Sequence, residues 1–182
     1  MTREADDLAA FSEIRAVLTW VVTQLAEFAP PMEQLGDYVP ASTFLGFPRR
    51  AKLLHLGEVW RLGIFLINNE GMLFRAGDNT RVVETSHIQH VSTYRTERYE
   101  LMDAAFRGGF PVGSVVNFNA SPVLVDVDSL ARPSGPLFSR GPHAFVRWRT
   151  GASDDDAVSV ADYMTERLEL LLNPPEGATD KF

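Results

Sequence analysis

His87-Ile88-Gln89-His90 holds the closest pair of histidines in the chain. If the segment is helical, that spacing places both imidazoles on one face, as a metal pair requires. No Glu lies between them, so this is not the His-Glu-x-x-His pattern of zinc proteases. No third ligand stands at a diagnostic spacing, although the fold could bring His55 or His143 near. Two polar loop histidines are the preferred reading, a metal site at His87 and His90 is the alternative, and no cofactor is expected.

A second set of residues follows from strand spacing. His143 to Arg149 alternates apolar and polar, so His143, Arg147 and Arg149 point to one side of a strand. Asn117 and Asn119 share a face of a strand over 114–119, and Arg75 is the polar exception on its own strand. If those faces coincide, guanidinium forks, amides and an imidazole meet on one surface. Such a surface suits a carboxylate or phosphate held without a metal. A histidine there could serve as a general base near neutral pH. A solvated sheet face with Arg stems lying over apolar neighbours explains the same pattern. Arg61 interrupts an apolar strand and needs a partner: Glu58, Glu84 or Glu100 structurally, or a bound ligand. Asp126 and Asp128 share a strand face and outline an acid–base pair, but Asp is also common at strand ends.

The absences narrow the chemistry further. With no Cys, disulfides, thiolate zinc sites, iron–sulfur clusters and cysteine catalysis are excluded. The chain has no Gly-x-x-x-x-Gly-Lys-Ser/Thr phosphate loop, Gly-x-Gly-x-x-Gly fingerprint, Gly-x-Ser-x-Gly elbow or Ser-x-x-Lys pair. Schiff-base chemistry would rest on Lys52, since Lys181 is in the tail. Asp154-Asp155-Asp156 lacks the Gly and terminal Glu of a calcium loop and reads as an acidic turn.

The elements that must position these residues can be read from periodicity. Asp6 or Asp7 caps a helix to Phe28, with apolar residues at steps of three and four and Pro30-Pro31 as its stop. Residues 32–50 read as an ordered connector with at most a short helical turn. Val59 to Ile67 is apolar at almost every position, as a central strand would be. Turns at 68–71 and 77–79 predict a three-stranded meander ending at Glu84. After a polar loop over 85–93, a helix runs from Tyr94 to Arg107 and stops at Gly108-Gly109. Strands over 114–119 and 123–127, a loop over 128–142 and a strand from His143 to Arg149 follow. Ser159, with Asp162 three residues on, caps a last helix ending at Asn173. The prediction is a single α+β domain over 1–173 with a flexible tail over 174–182. It has N-terminal, central and C-terminal helices and a mainly antiparallel five- to six-stranded sheet.

The 182 residues suit one domain, and 45% hydrophobic content with 10% aromatics excludes a disordered chain. Charge is uneven. Residues 1–48 carry two Arg against seven acids, residues 49–149 carry 13 Arg or Lys against nine acids, and residues 150–182 carry two against eight. An Arg-rich middle suits an anion, but codon bias and acidic terminal helices facing it account for the same pattern. A net charge of −7 and scattered Arg argue against nucleic acid. The acidic opening Met-Thr-Arg-Glu-Ala-Asp-Asp does not resemble a signal peptide. The charge-free helical run Ala16–Ala26 is short for a membrane span, so a soluble cytoplasmic protein without membrane contact is expected.

Arg61–Arg81 and the run Ala104-Ala105-Phe106-Arg107-Gly108-Gly109-Phe110 resemble short actinobacterial proteins of unassigned function. Some of these bear a glutaminase label. The missing Ser-x-x-Lys removes the pair that serine-dependent glutaminases use, so that activity is not expected. The chain is expected to act by binding or self-association, as a homodimer through surplus apolar surface around Trp20. The alternative is a protein binding a small anionic ligand, or an enzyme such as a hydrolase, at Arg61, Arg75, Asn117, His143 and Arg147.

Overall fold

A computed structural model describes residues 3–84, 93–130, 135–149, 151 and 153–175. In chain order the elements begin with α1 (Arg3–Phe28), β1 (Glu33–Val39), β2 (Ser42–Phe44), β3 (Phe47–Arg49), β4 (Lys52–Leu62), β5 (Phe65–Ile67), β6 (Leu73–Arg75) and β7 (Asp78–Arg81). There follow α2 (Thr93–Arg107), β8 (Val115–Phe118), β9 (Ser121–Pro122), α3 (Val127–Leu130), β10 (Leu137–Arg140), β11 (His143–Val146), β12 (Val158–Ser159) and α4 (Val160–Leu172). The class is α+β with mainly antiparallel strands. The polypeptide groups into two compact units, where the sequence predicts one domain. One unit holds Met1–Pro31, Trp60–Arg75 and Pro122–Phe182, and the other holds Met32–Val59 and Ala76–Ser121. Within the units the strand orders are β4-β5-β6-β9 in the first and β7-β8-β1-β4 in the second, β4 contributing residues to both. Strands β10-β11-β12 and the β2-β3 hairpin make two further small sheets, so the strands exceed the predicted five or six.

In the first unit α1 buries the stripe Ala10, Ile14, Leu18, Val21 and Leu25. It packs against α4, α3 and the β10–β11 hairpin. Among the described helices α1 alone is long and apolar enough to cross a membrane. Its buried stripe is equally that of a core helix. The predicted single strand over 59–67 is a tight hairpin instead: Leu62 pairs with Phe65 and Trp60 with Ile67. Both sides are apolar because both are buried, so periodicity could not show the reversal. Gly63 makes the turn at φ 64°, and a Cβ there would lie 2.2 Å from the Tyr163 hydroxyl. That hydroxyl accepts a hydrogen bond from the Ile64 amide at 2.9 Å, tying the turn to α4. The predicted loop over 128–142 contains α3 and β10, and β10 pairs with β11 from Leu137↔Val146 to Arg140↔His143. The cap of α4 is as predicted, with the Asp162 amide donating to Ser159 Oγ at 3.1 Å.

The second unit has the order β7-β8-β1-β4, with β1 and β8 parallel. Leu53, Val82, Ala105, Phe110, Val116 and Phe118 form its core. The connector predicted over 32–50 is largely strand, because β1 runs antiparallel to β4 along its whole length. Its Pro40 marks only the point where pairing breaks before β2. The meander is also revised, since β7 pairs with β8 and not with β6. The central helix ends as expected, with Gly109 at φ 81°. Gly108 allows close approach, since a Cβ there would sit 2.2 Å from the Leu53 carbonyl oxygen.

Candidate anion-binding site

The predicted Arg/His surface is not assembled on one sheet. Asn117 lies on β8 in the second unit, whereas Arg61, Arg75, His143 and Arg147 belong to the first. Within the first unit Arg75 is on β6, and His143 is on β11, a strand of a different sheet. Asn117 is wholly buried, and its side-chain amide donates to Glu33 Oε2 at 2.7 Å and to the Gln34 carbonyl at 3.2 Å. These bonds hold β8 to β1. His143 is exposed, with Nδ1 3.7 Å from Glu13 Oε2.

Arg147 fastens a corner. Its Nε donates to Asp154 Oδ1 at 2.7 Å, its Nη1 to the Gly135 carbonyl at 2.7 Å, and its guanidinium lies over Phe138. The bond from Arg147 holds the Asp154 carboxyl below its ordinary pKa. Arg61 is half-buried and pairs through its backbone with Leu66. Asp126 accepts from the Ser129 amide at 2.7 Å at the start of α3, and Asp128 lies within α3, so the two do not share a strand face. His87 and His90 lie outside the described residues, and no metal-binding group occurs among the described ones.

The second unit nevertheless gathers cations elsewhere. From Tyr38 to Gly57 the chain has no acidic residue, and it carries Arg49, Arg50 and Lys52. A cavity of about 590 Å³ is lined by these three together with Arg107, Val39, Pro40 and Ser42. The fold converges them in two ways. The β1–β4 ladder sets Lys52 opposite Val39, and the β2–β3 ladder sets Arg49 opposite Ser42. Arg107, in the last turn of α2, reaches across to the interruption between β3 and β4. Its Nε and Nη2 donate to the Ala51 carbonyl at 2.9 and 2.6 Å, and Nη1 pairs with Asp103. A guanidinium fork can make these bonds together, where an ammonium could not. Burial first, and the Arg50 guanidinium second, lower the Arg107 pKa from its ordinary value.

Arg107 thus orders the backbone between Arg50 and Lys52. Among the described residues no carboxylate is ion-paired with Arg49, Arg50 or Lys52. Unpaired cations around one cavity are equipped to hold a phosphate or carboxylate. Strand alternation could not find this site, because its cations lie on two strand ends, an interruption and a distant helix terminus. The acid-free stretch Tyr38–Gly57 is the sequence signal that marks it.

Above the cavity stands the β2–β3 hairpin, every residue of which is exposed. Its two-residue turn has Leu45 at φ 49° and Gly46 at φ 81°. Two successive positive φ angles match the twist of a hairpin but favour Asn or Gly at the first position. Leucine there costs about 1 kcal/mol of strain and buries nothing in return. Phe44 and Phe47 flank the turn as a cross-strand pair, and the Arg49 guanidinium lies 4.6 Å from the Phe44 ring centroid.

The first unit has its own cavity, about 670 Å³, between α1 and the turn before β6, lined by residues including Leu18, Val22, Met72, Leu73 and Leu124. Arg15 and Glu70, of opposite sign, are its charged members, so it lacks a convergent set of cations. No protein-family model, no curated protein and no solved structure matches this chain.

Proposed function

We propose that the protein acts by binding, and that the cavity lined by Arg49, Arg50, Lys52 and Arg107 takes an anionic group, a phosphate or a carboxylate. The observation that carries this reading is the set of three cations around one cavity that have no carboxylate partner among the described residues, beside a fourth held in place by Ala51 and Asp103. Calorimetric titration with inorganic phosphate and pyrophosphate tests it. Saturable binding is expected, tighter for pyrophosphate. The double substitution Arg50→Ala and Lys52→Ala should weaken it by roughly tenfold or more, the worth of a charge-assisted bond. Absence of binding, or equal affinity in the double variant, refutes the site.

Self-association is a second reading, favoured by the large apolar side chains Leu8, Trp20 and Phe28 that α1 leaves exposed. Sedimentation velocity should then show a dimer that Trp20→Ser dissociates.

A further inference from the structure

We infer that the β2–β3 hairpin docks this protein on an anionic lipid bilayer. Phe44, Leu45 and Phe47 would enter the headgroup–acyl boundary, and Arg49, Arg50 and Lys52 would hold lipid phosphates. The cationic half rests on the anion-binding reading above, while the apolar half stands on its own observations. Leu45 is 81% exposed, Phe47 75% and Phe44 54%, and no residue from 40 to 50 is buried. A two-stranded hairpin with neither face packed is marginal in water, so this one gains little from its own fold. Its turn keeps a leucine in a left-handed conformation where Asn or Gly is at ease. A side chain that strains the turn and stays in solvent is accounted for by what it meets outside the fold.

The order of residues selects the occupant. The large apolar side chains sit at the tip, the cations lie behind them, and no carboxylate interrupts residues 38–57. That order matches the depth profile of a bilayer, apolar below and anionic phosphate above, and Arg stems can span the two zones. Three side chains on a convex tip are too few for a stable dimer interface, which buries on the order of 1,200 Å² or more. A bilayer requires no complementary pocket. Each surface cation adds roughly fivefold to the partition onto an anionic leaflet, and each inserted Leu or Phe roughly tenfold or more. The expectation of no membrane contact rests on the shortness of the charge-free run Ala16–Ala26, and a hairpin inserted in the interface needs no spanning segment.

The test is flotation of the full chain with vesicles of phosphatidylcholine alone and of phosphatidylcholine mixed with phosphatidylserine. The protein should float with the mixed vesicles only. Leu45→Asn with Phe47→Ser should reduce its partition by roughly tenfold or more. Leu45 and Phe47 do not line the cavity, so that variant should bind inorganic phosphate as the parent does. Arg50→Glu with Lys52→Glu should lose both vesicle and phosphate binding. Equal flotation of the tip variant, or no flotation of the parent, overturns docking and leaves the anion site standing. Parent flotation without phosphate binding refutes the anion site and with it the role given to Arg49, Arg50 and Lys52. A dimer in vesicle-free solution that the tip variant dissociates assigns the hairpin to a second copy and overturns the bilayer.

Discussion

Two arginines that both donate to backbone carbonyls serve different ends. Arg147 is spent on Asp154 and the Gly135 carbonyl, so the strand spacing that singles it out finds a structural fastener. Arg107 is also tied to backbone, but its bonds order the segment between Arg50 and Lys52, which have no carboxylate partner among the described residues. Sequence spacing sees the charge of each and neither partner, because the partners come from chain segments up to 56 residues away. Leu45 is the residue whose strain is most direct to test. Replacing it with Asn, which tolerates the left-handed region, should raise folding stability by about 1 kcal/mol in chemical denaturation. Loss of stability in Leu45→Asn would mean that the leucine supports the fold, which removes the reason to look for an outside partner. The same variant should bind vesicles less well, so its stability and its docking should move in opposite directions.

At the scale of elements, the three long helices are legible in the sequence, whereas the short α3 and several strands are not. α1 and α4 carry local punctuation: Pro30-Pro31 after one, and Ser159 with Asp162 before the other. β1 has no such mark, because Gly36 and Pro40 speak against a strand, and only pairing with β4 and β8 makes it one. The β4–β5 reversal hides in an unbroken apolar run. There the turn depends on Gly63 and on Tyr163, which is 100 residues further along the chain. Gly63→Ala should cost about 2 kcal/mol, since the turn needs positive φ and the added carbon meets the Tyr163 hydroxyl. In a Tyr163→Phe background the same substitution should cost less, because the closest atom is gone. A double-mutant cycle by urea denaturation reads the difference, and strict additivity would deny that the hydroxyl sets the turn.

For the whole molecule, charge sets the conditions under which the hairpin can work. A net charge of −7 repels an anionic surface, so attraction has to come from the local excess near Arg49, Arg50 and Lys52. Screening shortens from about 10 Å at 0.1 M salt to about 3 Å at 1 M. The fraction floating with phosphatidylserine vesicles should therefore fall steeply between those salt concentrations. Flotation unchanged by salt would show that the apolar tip acts without its cations.

By itself the sequence determined the class of the protein. Local periodicity and caps specify the three long helices, alternation and turns specify a mainly antiparallel strand content, and the absence of Cys removes thiol chemistry from this sequence. Those properties depend on neighbours within a few residues, which is why they can be read along the chain. Tertiary structure alone decided that Asn117, wholly buried, is a structural tie, that Arg147 is a fastener, and that Arg107 stands beside Arg50 and Lys52. The reason is that a side chain's role follows from what it pairs with, and pairing joins residues whose separation in sequence carries no signal.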